Sequence, residues 1–242
     1  MPNFQLVVFD MAGTTVQDNN EVLACFFEAA KQTGLIASAD RVNAMMGLPK
    51  RVVFQTLWAD QIGAEHADYG PQVETSYDRF RTILETHYRT QPVEPTPGCL
   101  ALFDWLRAQG IAIALNTGFY RDVTDIILQR LGWDVGLNAD HIGDATAPIQ
   151  ASVTPSEIYG NEGRPAPFMI QKAMYRLGIH DPSRVIVIGD TPSDLAAGRN
   201  GGCRACAVTN GTHTEAQLAA HPNDGLFANL SDFQAKLEHW IA

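Results

Sequence analysis

The stretch FQLVVFDMAGTT, residues 4–15, decides the fold of this chain. Its first half, Phe4–Phe9, is short and almost wholly apolar, which is typical of a strand covered on both faces. Its second half places a carboxylate, Asp10, and a glycine turn directly after that strand. In parallel sheets, ligands bind beyond the carboxyl ends of the strands. This stretch therefore predicts the first strand of a parallel sheet and one wall of a site.

Three later stretches have the same apolar character as the first strand, namely Ile111–Asn116, Arg184–Gly189 and Cys203–Val208. Amphipathic helical patterns separate them, and each pattern ends near a glycine that fits a helix C-terminus. These helices are predicted at Gly98–Ala108, Arg121–Leu131, Ala166–Leu177 and Pro192–Arg199. Alternating strands and helices predict an α/β fold with a Rossmann-like parallel sheet.

The region between the first two strands reads as helices only. They are predicted at Glu21–Thr33, Ala39–Met46, Pro49–Gln61 and Gln72–Tyr88, and a proline-rich connection follows at residues 92–98. We therefore predict a core of residues 1–18 and 92–242, with an α-helical cap of residues 19–91 inserted after the first strand. Residues 133–163 are expected to be irregular, with one strand at Ile149–Val153 and a hairpin as the alternative to loops.

Composition limits the function classes. The chain has 242 residues, 45% of them hydrophobic, which is enough for a sizeable core. No apolar run is long enough to span a bilayer, and the N-terminus lacks a signal-peptide pattern, so we expect a cytoplasmic protein without a membrane partner. The net charge of −10 and the lack of a basic stripe argue against nucleic acid.

The four cysteines are too few for a disulfide framework in a chain of this length. Cys203 and Cys206 form a C-x-x-C pair, which can signal a redox or zinc site. They fall on a predicted strand, where residues three apart point to opposite faces and cannot chelate one ion. We interpret both as strand residues of the core.

Polar residues follow each predicted strand where the strand ends. Asp10 and Thr14 follow the first, Thr117 and Gly118 follow the second, and Asp190 and Asp194 follow the third, with Arg164 ahead of the third strand. Each has a structural alternative, because an Asp after a strand is often only a helix N-cap. Their order along the chain favours one shared site at one edge of the sheet.

That set suits transfer of a phosphoryl group. A strand-end carboxylate such as Asp10 can attack phosphorus and form an aspartyl intermediate. Asp190 can supply a second hard oxygen ligand to magnesium. Thr14, Thr117 and Gly118 can donate hydrogen bonds to non-bridging oxygens, and Arg164 adds a positive charge.

In this order the segments resemble the haloacid dehalogenase superfamily. The resemblance implies Mg²⁺ bound through Asp10, the carbonyl of Ala12 and Asp190, with Asp194 beside them, and a homodimer formed through the cap. Most phosphatases of that superfamily have an acid where this chain has Ala12. Several segments look like phosphonatase, that is phosphonoacetaldehyde hydrolase. They are Ala12–Thr15, Met46–Lys50, Arg164, and Gly189–Asp194 with Gly198–Asn200. This implies Gly13 and Met46 as further substrate-binding residues.

Lys50 makes chemical sense beside Ala12. A carbon leaving group on phosphorus cannot be rescued by protonating an ester oxygen, whereas an amine that condenses with a neighbouring carbonyl can accept the electrons of the breaking bond. Lys50 follows Pro49 in the first turn of a predicted helix, where the helix dipole, Arg51 and Arg164 would lower its pKa. The alternative is a solvated surface lysine.

Three positions depart from the phosphonatase pattern. A His is expected three residues after the lysine and is Val53 here, a Tyr after Thr-Gly is Phe119, and a Cys after the nucleophile is Asn20. The leading hypothesis is cleavage of the carbon–phosphorus bond of a small 2-oxoalkylphosphonate. The alternatives are a phosphomonoester phosphatase and a non-catalytic phosphate-binding module.

Overall fold

The computed structural model describes residues 4–241, in which six parallel strands form one sheet. The strands β1–β6 span Leu6–Phe9, Ala112–Asn116, Ala151–Val153, Val185–Gly189, Arg204–Val208 and Gly225–Phe227. Their spatial order is β3-β2-β1-β4-β5-β6. Because β1 lies between β2 and β4, the residues that follow these three strands meet at the middle of one sheet edge. The predicted α/β fold class is confirmed.

The side chains of each central strand alternate between two apolar layers, as the two-residue period of a strand requires. In β1, Val7 and Phe9 belong to one core cluster, whereas Leu6 and Val8 belong to the cluster on the other face. Both faces are buried, which is why these strands read as continuous apolar runs instead of alternating patterns.

Ten α-helices surround the sheet within the described residues. They are α1–α10 at Glu21–Thr33, Ala39–Asn43, Lys50–Ile62, Tyr69–Thr90, Cys99–Ala108, Arg121–Leu131, Phe168–Arg176, Pro192–Asn200, Glu215–Ala219 and Leu230–Ile241. The four helices predicted between the strands are confirmed as α5–α8. Within residues 4–241, no helix has the length and apolar character that crossing a bilayer would need.

The segment predicted as the cap consists of four helices joined by turns, and its helices share a core of aromatic rings. The rings of Phe26 on α1 and Phe54 on α3 stack with centroids 4.4 Å apart, and Phe80 on α4 packs against both. Trp58 Nε1 donates to Ser76 Oγ at 2.9 Å, which satisfies the buried indole donor.

The predicted helix Ala39–Met46 was wrong beyond Asn43. There the backbone continues in tight turns, with the amide of Met46 donating to Asn43 O at 3.0 Å, and Gly47 then takes a φ of 87°. A residue in the left-handed region ends a helix, and glycine adopts it at least cost. The turn delivers Met46 and Gly47 to the edge of the sheet.

The two connections between the cap segment and the sheet run beside each other. Gln17 N donates to Glu94 O at 2.9 Å, and Thr96 N donates to Thr15 O at 3.0 Å. Any movement of the cap relative to the sheet therefore has to pass through this pair of connections. The domain boundaries at 18/19 and 91/92 stay a prediction.

Residues 133–163 contain a short antiparallel pairing between Ile142 and Ala151 and two turns of 3₁₀-helix. The hairpin alternative is therefore correct in part, and the predicted strand is shorter, at Ala151–Val153. Cys203 and Cys206 lie in different core clusters on opposite faces of the sheet, and both are free thiols. Both are core residues as predicted, but only Cys206 lies on β5, since Cys203 comes one residue before the strand begins.

Candidate active site

Asp10 lies one residue beyond β1, and sheet pairing fixes its backbone. Its amide donates to Ile188 O at 2.9 Å, and its carbonyl accepts from Thr15 Oγ1 at 2.8 Å. The turn that follows brings Gly13, with a φ of 82°, against Asp190. A Cβ at Gly13 would lie 2.5 Å from Asp190 Oδ2, so only glycine permits this approach.

Asp190 is completely buried behind that turn. Its Oδ2 accepts from the amide of Thr212 at 2.6 Å, and its Oδ1 accepts from Thr14 Oγ1 at 3.4 Å. Burial and the nearby Asp10 carboxylate raise the pKa of Asp190 to about 6. Two carboxylates held this close repel each other, and a bound cation would relieve that repulsion.

Asp194 has two structural duties. Its Oδ2 accepts from Thr191 N at 3.1 Å and from Thr191 Oγ1 at 2.6 Å, forming the capping box that begins α8. Its Oδ1 forms an ion pair with Arg164. Asp194 thus helps to cap the helix from its third position, with Thr191 as the N-cap, and it also belongs to the charged cluster.

Arg164 joins the charged groups of this edge. Its Nη1 lies 2.9 Å from Asp10 Oδ1 and also pairs with Asp194, while the guanidinium is almost entirely buried. Its Nε is buried and has no hydrogen-bond partner among residues 4–241. A buried guanidinium with a donor to spare beside Asp10 is suited to bind an anionic oxygen.

The acidic residues of this edge fit the predicted magnesium ion. Asp10, Asp190 and Asp194 each offer a carboxylate oxygen, and these oxygens lie within 4.8 Å of one another. Such hard oxygen donors suit Mg²⁺. Asp10 and Asp190 as direct ligands, with Asp194 beside them, stay a prediction.

The end of β2 supplies the opposite wall. Thr117 is buried, and its Oγ1 accepts from Phe119 N at 3.2 Å. A Cβ at Gly118 would lie 3.0 Å from Gly47 O and 3.2 Å from Leu48 O of the cap turn. The glycine therefore allows the cap to close directly onto this strand end.

Lys50 comes from the cap, in the first turn of α3 as predicted. The side chain is only 7% exposed, and its amine has no hydrogen-bond or ion-pair partner in the described part of the chain. Burial, and then the charge of Arg164, lower the pKa of Lys50 to about 8. Arg51 instead pairs with Glu74 at the surface, where both side chains are about half exposed. The surface-lysine alternative was wrong.

These groups enclose a cavity of about 30 Å³. Its lining includes seven predicted site residues, namely Asp10, Ala12, Met46, Lys50, Thr117, Gly118 and Arg164. The other four lie behind this wall, as Gly13, Thr14, Asp190 and Asp194. A cavity of this size holds roughly one water molecule, which is less room than a small phosphonate needs. A larger cleft of about 490 Å³ shares Lys50 and Gly118 with it.

The cavity is also lined by three residues that the sequence analysis did not single out, namely Asp18, Val22 and Thr212. Thr212 follows the fifth strand, so the rule that directed attention to the other strand ends also applied to it. Asp18 lies past the first turn, and no local pattern marked it as facing the site.

Comparisons with known proteins agree with this geometry. The family model for haloacid dehalogenase-like hydrolases matches residues 4–202. The chain belongs to the haloacid dehalogenase-like hydrolase family. It is therefore an enzyme, a hydrolase, and the alternative of a non-catalytic phosphate-binding module is not supported. The predicted superfamily resemblance is confirmed.

Relatives within the family extend over most of the chain. The phosphonoacetaldehyde hydrolase of Bacillus cereus strain AH187 is 30% identical over 225 residues, covering 86% of this chain and 76% of that protein. A hydrolase structure from Pseudomonas syringae has a TM-score of 0.80 at 19% identity, covering 97% and 98%. A "predicted phosphoglycolate phosphatase" structure from Haemophilus somnus 129pt has a TM-score of 0.75 at 18% identity, covering 98% and 99%. The two structures share the fold.

Proposed function

We propose that this chain is a magnesium-dependent hydrolase that cleaves the carbon–phosphorus bond of a small 2-oxoalkylphosphonate. The observation that carries the proposal is that Lys50, which is only 7% exposed and forms no hydrogen bond or ion pair within residues 4–241, lines the same cavity as Asp10. A buried lysine normally needs a partner for its charge. An amine without one, and with a lowered pKa, is suited to attack a carbonyl.

Asp10 and Arg164 then act on the phosphorus atom and its oxygens. Asp10 attacks the phosphorus atom while Arg164, paired with Asp10 and Asp194, holds the non-bridging oxygens. Mg²⁺ bound by Asp10 and Asp190 would offset the negative charge that these anions bring together. Thr117 and the amide of Gly118 lie on the opposite wall and can donate to the remaining oxygens.

Lys50 supplies the electron sink. Its amine condenses with the substrate carbonyl, water leaves, and an iminium forms. When the carbon–phosphorus bond breaks, its electron pair moves into the iminium to give an enamine, and phosphorus becomes bonded to Asp10. Water then hydrolyses the aspartyl phosphate to phosphate, and protonation and hydrolysis of the enamine release the carbonyl product from Lys50.

The position two residues after the nucleophile supports this choice of bond. Ala12 lines the cavity and carries no proton to give to an ester oxygen. The similarity to the Bacillus cereus phosphonoacetaldehyde hydrolase makes phosphonoacetaldehyde the first substrate to test. We infer that the enzyme acts in the cytoplasm on this class of small metabolite.

Borohydride trapping tests the proposal. The enzyme is incubated with phosphonoacetaldehyde and borohydride, and peptide mass spectrometry should find a reduced adduct on Lys50. Lys50→Arg keeps the charge but cannot form the imine, because guanidinium stays protonated. It should lose phosphate release from the phosphonate by about 1,000-fold or more. Lys31→Arg, on the exposed face of α1, is the matched control.

A phosphomonoester phosphatase is the second candidate, because the cluster of Asp10, Arg164 and Asp190 does not depend on Lys50. A panel of phosphate esters assayed beside the phosphonate separates the two. If Lys50→Arg releases phosphate from its best substrate as fast as the parent, the Schiff-base proposal is wrong and the phosphatase takes its place.

A further inference from the structure

Asp18 is a carboxyl group inside the cavity that the proposed chemistry has not yet used. It lies between the first turn and α1, and it shares the lining of the cavity with Asp10 and Lys50. Its Oδ1 accepts from the amide of Val22 at 3.3 Å, which anchors the side chain at the start of α1. Its position is therefore set by the backbone of the helix.

Asp18 is paired with a second carboxyl, Glu21, within hydrogen-bonding range. Glu21 Oε1 accepts from Asn19 Nδ2 at 3.1 Å, whereas Glu21 Oε2 is buried and has no donor anywhere in residues 4–241. A proton on Asp18 would supply the donor that is lacking. Two adjacent carboxyls in a partly buried place retain one proton between them more readily than they ionise together.

The electrostatics agree with this geometry. Burial, and then the hydrogen bond with Glu21, raise the pKa of Asp18 into the neutral range. Burial opposes ionisation of Glu21 as well, but hydrogen bonds from Asp18 and Asn19 lower its pKa below the ordinary value. A proton on Asp18 has a ready acceptor in the unpartnered Glu21 Oε2, and Asp18 is the member of the pair that lines the cavity.

No other side chain of the cavity can give up a proton at neutral pH. Its titratable lining residues are Asp10, Asp18, Lys50 and Arg164. Asp10 is the nucleophile, the Lys50 nitrogen is bonded to the substrate, and a guanidinium such as Arg164 does not deprotonate. At the positions where a histidine and a tyrosine would serve, this chain has Val53 and Phe119.

We propose that Asp18 is the general acid that protonates the carbon of the Lys50 enamine after the carbon–phosphorus bond has broken. This inference rests on the proposed function. The Asp18 O–H bond breaks and its proton joins the former phosphonate carbon, while the enamine electron pair forms the new C–H bond. This step regenerates the iminium, leaves Asp18 as a carboxylate, and makes a methyl or methylene group. Hydrolysis of the iminium frees Lys50 and returns a proton to Asp18.

The titratable groups that face Asp18 determine which ionisations a pH profile of activity will report. They are Glu21 and Cys25 on α1, Lys50 on α3, Tyr88 on α4, and Asp10. Burial raises the pKa of both Cys25 and Tyr88, so these two stay neutral through the assay range. Schiff-base formation needs a neutral Lys50, so kcat/KM should rise on the acidic side. The later protonation step needs a protonated Asp18, so kcat should fall on the alkaline side.

Asp18→Asn is the decisive variant. Asparagine keeps the shape, the acceptor for Val22 N and a donor for Glu21, but it cannot release a proton. We expect kcat for phosphonoacetaldehyde to fall about 100-fold or more, the loss typical of a missing general acid, and KM to fall with it because the slowed step follows bond cleavage. The alkaline fall of kcat should disappear, because it reports ionisation of Asp18. Asp18→Glu, which retains a carboxyl, should keep that fall.

The controls separate the possible failures. Glu28→Gln makes the same carboxyl-to-amide change on the exposed face of α1 and should leave kcat unaltered. If the parent enzyme releases no phosphate from phosphonates, the proposed function itself fails. If the parent is active but Asp18→Asn keeps kcat within about threefold, or retains the alkaline fall, Asp18 is not the general acid. Loss of both kcat and the alkaline fall supports the assignment.

Discussion

The sheet side and the cap side of the cavity differ in how their charges are arranged. On the sheet side, Asp10, Arg164 and Asp194 form one connected cluster, and Asp190 is held by Thr212 and Thr14. On the cap side, the amine of Lys50 has no ionic or hydrogen-bond partner in residues 4–241. The charged groups of the sheet side are therefore held by one another and by neighbouring threonines, whereas the cap side presents one amine without such a contact.

That difference separates two parts of the chemistry. A set of paired carboxylates and a guanidinium can hold a phosphoryl group whatever atom is attached to it. An unpaired amine, in contrast, is useful only when the leaving group carries a carbonyl. We therefore expect changes on the sheet side to abolish all phosphoryl chemistry, and changes on the cap side to affect the choice of bond.

The largest effect should come from the sheet side. Asp10→Asn keeps the shape of the side chain and removes the nucleophile, so phosphate release should fall by about 10,000-fold or more while the melting temperature changes little. Asp134→Asn, an exposed acid after α6, is the matched control. An Asp10→Asn enzyme that retains a tenth of the activity or more would contradict the assignment of the nucleophile.

Removal of the metal should be nearly as severe. Chelation should abolish phosphate release from phosphonates and phosphate esters alike, and added Mg²⁺ should restore it, because Asp10 and Asp190 repel each other and an anionic substrate. The measurement is activity against free Mg²⁺ concentration. Asp190→Asn should need a higher concentration for half-maximal activity. Full activity in chelator would show that the acidic cluster works without a cation.

A smaller effect should follow from preventing the cap from closing. In Gly47→Ala the new Cβ would meet the side chain of Thr191, 3.1 Å from its Cβ, so the cap turn has to withdraw from the sheet. We expect kcat/KM to fall about tenfold, since small misplacements of reacting groups are costly. Gly34→Ala is the matched control, because Gly34 has a φ of 77° with nothing within 4 Å. Both variants place an alanine at a positive φ and so carry the same kind of backbone strain. Only Gly47→Ala should lose more activity than this strain explains.

The comparison also shows what could be predicted from the sequence. The strand ends were predictable, because a buried parallel strand is an apolar run and its last residues have to face the same edge. Asp10, Thr117 and Asp190 follow from that rule alone. The position of Arg164 between Asp10 and Asp194 does not, since it depends on how an irregular loop returns to the sheet.

The cap was harder to predict for a physical reason. Helical periodicity gives the buried face of a helix but not the direction from which the helix meets another layer. Lys50 was identified through its place in a known pattern, and its burial emerges only from the packing of α3 over the sheet edge. Asp18 was missed because its role depends on contact with Glu21 and on the wall formed by Lys50.

Arg51 gives the smallest and sharpest test of what lowers the pKa of Lys50. The sequence neighbour was expected to repel the ammonium, but Arg51 pairs with Glu74, and the two side chains are 48% and 50% exposed. Exposed ion pairs are screened by water and are worth only about 0–1 kcal/mol. The pKa of Lys50 is lowered first by burial and next by Arg164, which is almost completely buried. Neither depends on Arg51.

Arg51→Gln should therefore leave the titration of Lys50 where it is. Pulsed reductive methylation with formaldehyde and cyanoborohydride, followed by peptide mapping across a pH series, measures the amine directly. Labelling of Lys50 should be half-maximal near pH 8 in the parent and in the variant, well below the roughly 10.4 of an ordinary lysine. The Lys31 peptide serves as the internal reference for reagent reactivity. An upward shift of the Lys50 midpoint in Arg51→Gln would show that the surface charge of Arg51 affects the amine in the cavity. The proposed independence of the site from its exposed surroundings would then be wrong.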